Sequence, residues 1–144
     1  MGDLTKNLSR HEFECNPKEC GCGFDTVDFV LVNMIQDSCD YFAEKYNSKI
    51  SVSITGGNRC VDQNERVQKR ANPDYIPFSS KSTHQEAKAA DHKHYYYADG
   101  IKIQIDPKEV YDYYDKKYPD SKGIGLYHNR VHADSRTKKA RWGK

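Results

Sequence analysis

From Thr26 to about Tyr46, the residues Val27, Val30, Leu31, Met34, Ile35 and Phe42 fall on one face at helical spacing. An apolar stripe of this kind must be buried against a partner, and the later segments supply a sheet. Residues 49–55, "KISVSIT", alternate apolar and polar as a half-buried strand does, and Gly56 and Gly57 end it. Residues 92–105, "HKHYYYADGIKIQI", read as a hairpin whose Asp99-Gly100 pair supplies the positive backbone angles of a tight turn. Residues 123–136, "GIGLYHNRVHADSR", give short strand segments around His128 to Asp134. The helix signals are equally local. Ser9 and Glu12 form a capping-box pattern for a short helix, and Asp25 is expected to cap the long one. Residues 61–70 read as a short polar helix, and Asp106-Pro107 opens another that runs to about Tyr118. A long loop from Ala71 to Lys81 separates the two halves. With no internal repeat or linker, the expectation is one α+β domain over residues 1–144, a mainly antiparallel sheet with flanking helices.

Composition narrows the function classes. Hydrophobic residues make up 36% of the 144 and charged residues 31%, so the core is small, and eleven tyrosines enlarge it with rings whose hydroxyls stay wet. Basic and acidic residues number 23 and 21, a net charge of +2, which argues against the concentrated basic face of a nucleic-acid binder. The tail "RTKKARWGK" is locally basic and is expected to be a solvated C-terminus. No apolar run reaches the length of a membrane span, and "MGDLTKNLSR" lacks the apolar stretch of a signal peptide, so synthesis in the cytoplasm is expected. The expected oligomeric state is a monomer. Five cysteines, an odd number, suit mostly reduced thiols. The cluster "CNPKECGC" departs from paired CxxC spacing, and packing or an adventitious disulfide is favoured there over a metal.

The segment "STHQEAKAADH", residues 82–92, offers His84 and Asp91, and "RVHADSR" offers His132 and Asp134. On an extended strand His132 and Asp134 project from the same face. Two histidines and a carboxylate with an open fourth position form a common catalytic zinc shell, in which the metal makes hydroxide available at ordinary pH. A carboxylate beside that shell can move the proton, and Asp134 is expected to do so. His92, His94 and His128 are further histidines that such a pattern could pair by accident.

Ser82, His84, Ala89 and Asp91 in the pattern SxHxxxxAxD, followed by "VHADSR", resemble the zinc D-alanyl-D-alanine carboxypeptidase and peptidoglycan endopeptidase family, which shares its metal-site architecture with hedgehog signalling domains. "LSRHEFEC", "TGGNRC" and "KGIGLYHNRVHADSR" extend the resemblance over roughly residues 8–143. It implies one zinc ion per chain held by His84, Asp91 and His132, with Arg59 and Ser82 on the substrate side. Two departures stand out. Ala87 occupies the glycine of the family's HxxGxAxD, which suggests a slightly altered loop. Asn129 stands where many relatives carry the base carboxylate, which leaves Asp134 for that role and His128 in reserve. The resemblance implies a zinc peptidase acting on bacterial cell-wall stem peptides, as a D,D-carboxypeptidase or an endopeptidase. A short chain without a leader suits a phage-type lysis enzyme that reaches the wall on release. The competing expectation is a zinc-stabilised binding domain without turnover.

Overall fold

The long helix begins where its cap allows. In the computed structural model, which describes residues 2–79 and 82–143, α1 spans Phe29–Tyr46 and is capped by Asp28, whose carboxylate accepts from the Val30 amide at 3.0 Å. Asp25 is not the cap. The residues before Asp28 are held in non-helical form by Asn58, whose Nδ2 donates to the carbonyls of Phe24 (3.3 Å) and Thr26 (2.7 Å). The later start also corrects the buried stripe. Leu31, Val32, Met34, Ile35, Ser38, Cys39 and Phe42 face inward, whereas Val30 is 49% exposed.

The remaining elements follow in the order expected, with one addition. A single 3-10 turn at Arg10–Phe13 is closed by Glu12, which accepts from the Ser9 amide at 2.8 Å. Then come β1 (Ser51–Gly56), α2 (Val61–Ala71), β2 (Ala89–Ala98), β3 (Ile101–Gln104), α3 (Pro107–Lys117), β4 (Gly123–Leu126), β5 (Val131–Asp134) and β6 (Ala140–Trp142). Residues 80 and 81 of the loop before β2 lie outside the described residues. Asp99 and Gly100 both take positive φ, 51° and 77°, and turn β2 into β3. Asp106 accepts from the Lys108 amide at 2.9 Å and starts α3. The addition is β6: the basic tail is not simply solvated. It pairs in parallel with β4, and Arg141 is fixed by Asp115 at 2.7 Å and by the carbonyl of Lys122 at 2.6 Å.

The result is an α+β domain with a mixed, mostly antiparallel six-stranded sheet in the order β1-β2-β5-β4-β6, with β3 paired to the far end of β2. Strand alternation divides its residues between two faces. Ala90, Ile124, Val131 and Ala133 join the core with Leu31, Ile35, Phe42, Val110, Tyr111 and Tyr114 from α1 and α3. Each fully buried large side chain of this set contributes about 1.5–3 kcal/mol. His92 and His94 lie in this core, bonded to Tyr114 Oη (2.8 Å) and Ser38 Oγ (2.8 Å). Burial pushes His92 down to about 4 and His94 well below its ordinary value, so both are neutral packing groups. Asp91 and His132 lie on the other face. No helix among the described residues is long and apolar enough to cross a membrane.

One close approach ties the N-terminal turn to the sheet. The Asn58 amide donates to the Phe13 carbonyl at 2.8 Å, and a Cβ on Gly57 would meet that same oxygen at 2.7 Å and the Phe13 Cα at 2.8 Å. Backbone on both sides cannot yield cheaply. Gly57→Ala should therefore lower stability by about 1–3 kcal/mol, measured as a reduced urea midpoint; an unchanged midpoint would contradict this contact.

Candidate metal centre

Register sets the site. Asp91 on β2 pairs directly with His132 on β5, His132 pairs with Gly125 on β4, and Gly125 pairs with Trp142 on β6. Gly56 on β1 stands opposite Asp91. The two outer glycines leave the row its room: a Cβ at Gly56 would come to 3.0 Å of Asp91 Oδ2, and one at Gly125 to 2.4 Å of the Trp142 ring. His84 enters from the preceding turn. Ser82 Oγ accepts from the His84 amide (3.2 Å), Ser82 N donates to Gln85 Oε1 (3.1 Å), and the His84 carbonyl accepts from the Arg59 amide (3.0 Å).

The three side chains converge. One ligand atom from each of His84, Asp91 and His132 lies within 4.8 Å of the others. Asp91 Oδ1 is 3.0 Å from His132 Nδ1, and Oδ2 is 3.6 Å from His84 Nε2. The far nitrogens fix the tautomers. His84 Nδ1 is 2.7 Å from the Gly57 carbonyl, which can only accept, so this nitrogen carries the proton. His132 Nε2 is 2.7 Å from Asp134 Oδ2, which likewise accepts. The neutral rings therefore turn two bare nitrogens toward a carboxylate, an arrangement that calls for a cation between them. In the metal-free chain a proton supplies it. Burial opposes charge on His132, yet Asp134 and Asp91 outweigh it and raise its pKa, while burial lowers that of His84. Burial works to raise the Asp91 carboxyl, but its bonds to His132 and His84 hold it far below the usual range.

Asp134 requires a correction. It was expected to face the cleft with His132 as a proton carrier, but it is fully buried behind the ring. Arg136 Nε and Nη2 donate to it at 2.7 and 2.8 Å, and the Gly123 amide donates at 3.1 Å. Burial would raise its pKa, but the bonds from His132 and Arg136 hold it well below the ordinary value. With its oxygens committed, Asp134 orients His132 and is not free to take a proton in the cleft. The reserve residue His128, and Asn129 beside it, are exposed in the turn between β4 and β5.

The ligand atoms open into a cavity of roughly 700 Å³. Arg59 and Ser82 line it, joined by a bond from Arg59 Nη2 to Ser82 Oγ at 3.5 Å. Tyr127, Arg136 and Trp142 line it too. The Trp142 ring sits 4.8 Å from that of His132, and its Nε1 donates to Tyr127 Oη at 3.2 Å. Sequence reasoning missed Trp142, although the alternating glycines Gly123 and Gly125 were the available sign of a close approach. An adjoining groove shares Arg59, His84, Asp91 and Tyr127 and is walled by Glu14.

A second cluster includes Cys60, the residue after Arg59. Cys15, Cys20, Cys22 and Cys60 also place one sulfur each within 4.8 Å of one another and could hold a metal ion. Comparison with known proteins returns no family model, no curated protein and no solved structure that matches this chain.

Asp134→Asn should weaken metal retention about 10–100-fold, read by competition with a chelator. In the metal-free protein it should cost about 1–3 kcal/mol. A carboxyl held below its usual value of 3.8 adds stability above that value and loses it as the pH falls through the folded one. The stability gap between wild type and variant should therefore close in acid, and a gap that persists there would contradict the assignment.

Proposed function

We propose that this chain is a zinc peptidase that cleaves a peptide bond in bacterial cell-wall stem peptides, as a D,D-carboxypeptidase or endopeptidase. One observation carries the reading: both histidines are pinned at their far nitrogens, so two bare nitrogens and one carboxylate oxygen converge at the mouth of a cavity. Two histidines and a carboxylate suit zinc with an open position. Zinc held there supplies Lewis acidity toward a peptide carbonyl and a water. The substrate class rests on the resemblance of Ser82, His84, Asp91 and "VHADSR" to the cell-wall peptidases.

The chain's own groups would divide the remaining work. The Arg59 guanidinium, on the cavity wall beside Ser82, suits a terminal carboxylate or a polarised carbonyl. Trp142 and Tyr127 shape the opposite side, the Tyr127 hydroxyl accepting from the indole and keeping its own proton to donate. The base must come from elsewhere than Asp134. Among the groove-wall carboxylates, Glu12 holds the Ser9 amide, Glu19 pairs with Arg70, and Asp91 serves the histidines. Glu14 is the uncommitted one, and we assign proton transfer to it.

A second reading has its own support. Asp91 is the only carboxylate lining the roughly 700 Å³ cavity among the described residues, as a zinc-stabilised binding domain for cell wall or protein would allow. Mass spectrometry of defined muropeptides incubated with the zinc-loaded protein separates the two. Loss of terminal D-alanine or opening of a cross-link is expected, and His132→Ala should abolish it together with metal at this site. Glu14→Gln should keep the metal and lower turnover about a hundredfold or more; normal turnover would remove Glu14 from the role. Wild-type protein that binds wall fragments and leaves them intact would establish the binding reading instead.

A further inference from the structure

The odd cysteine count resolves into four and one. Cys39 is buried in α1 among core residues, while the other four meet where the N-terminal segment crosses the start of α2. None forms a disulfide. Cys20 Sγ is 3.5 Å and Cys15 Sγ 3.9 Å from Cys60 Sγ, far beyond the bond length of about 2.05 Å. Four sulfurs at about 2.3 Å around a tetrahedral zinc stand about 3.8 Å apart. The two distances to Cys60 bracket that value, and all four sulfurs lie within 4.8 Å of one another.

The backbone is built for this convergence. The Cys15 amide donates to the Phe24 carbonyl (2.8 Å) and the Cys20 amide to the Asn16 carbonyl (2.8 Å), closing the segment into a compact loop. Gly21 and Gly23, with φ of +70° and +77°, flank Cys22 and have open space around them, so they serve backbone reversal. Cys60 is the N-cap of α2, where its sulfur accepts from the Gln63 amide at 3.4 Å. Arg66, one turn into α2, reaches Cys20 and the Glu19 carbonyl and supplies positive charge beside the sulfurs.

We propose that Cys15, Cys20, Cys22 and Cys60 bind a second, structural zinc ion that clamps the N-terminal segment to the start of α2. Four thiolates close the coordination shell, so the ion has no open position for substrate. Its effect on the first centre is positional. Residue 60 is held by the cluster, Arg59 lies in the cavity wall, and the Gly57 carbonyl orients His84. The expectation of one zinc per chain becomes two.

The test must isolate this site from the other. His84→Ala/His132→Ala protein, purified with zinc present, should retain about one zinc per chain by atomic absorption. X-ray absorption at the zinc edge should show a sulfur-only shell. Chelating this zinc should lower the melting temperature of the double variant and release thiols that react with Ellman's reagent. Cys60→Ser in the wild-type background should lose one zinc, although it need not fold for the double-variant result to stand. A zinc-free, stably folded double variant with four reactive thiols would overturn the proposal. So would a disulfide among these cysteines by non-reducing mass spectrometry, or a visible iron–thiolate spectrum in place of zinc. Failure of the histidine centre would appear separately, as a wild-type zinc content equal to that of the double variant.

Discussion

Two hydrogen-bond acceptors cannot face each other across 3.0 Å without a positive charge, and Asp91 Oδ1 faces His132 Nδ1 at that distance. The fold is arranged to maintain this contact. Asp134 holds the proton on the far side of one imidazole, the Gly57 carbonyl holds it on the far side of the other, and neither ring, while neutral, turns a donor inward. Whatever cation enters binds the folded state and not the unfolded chain, so its affinity becomes folding stability. The glycines on β1 and β4 follow from the same constraint, since side chains there would fill the space of Asp91 and Trp142.

The sheet keeps two kinds of histidine apart. His92 and His94 occupy alternate positions on β2 facing α1 and α3, where burial keeps them neutral and each has one ring nitrogen bonded to a hydroxyl, of Tyr114 and Ser38 respectively. Asp91 lies between Ala90 and His92 in sequence and points to the opposite face, which is open to the cavity. A one-residue slip of β2 would exchange the two sets, placing a carboxylate in the core and a histidine in the cavity. The apolar partners Ala90, Val131 and Ala133 oppose that slip, so the packing that stabilises the fold also specifies the site's register.

Much of this was legible in the sequence because it is local. The Asp99-Gly100 turn, the Asp106-Pro107 helix start and the strand alternation each depend on a few adjacent residues. His84, Asp91 and His132 were legible as a set because their residue types and order resemble a metal-site pattern, and the structure brings them together. The failures have physical causes. Asp25 and Asp28 are equally good caps in isolation, and Asn58, far along the chain, decides between them. Alternation placed Asp134 on the face of His132 but could not show that Arg136 and the Gly123 amide consume its oxygens. A three-residue parallel strand such as β6 has almost no local signature. The convergence of the four cysteines was not legible because the fourth member, Cys60, lies on another element and completes the set only through the fold.

Ala87 shows how the site tolerates local cost. Its φ of +58° lies in the left-handed region, where an L-residue other than glycine gives up about 1–2 kcal/mol. A slightly altered loop was the expectation for alanine here; the residue takes the left-handed conformation that glycine adopts freely. What holds it is the non-local pairing around it. The Lys88 amide donates to the Thr83 carbonyl at 3.1 Å, and the Ser135 amide, just past β5, donates to the Lys88 carbonyl at 3.0 Å. The turn carrying His84 is thus fastened to the strand carrying His132, and relaxing Ala87 would require breaking that link. The two histidines keep their relative position because the chain between them is anchored at both ends, and the strain at Ala87 is confined to one residue.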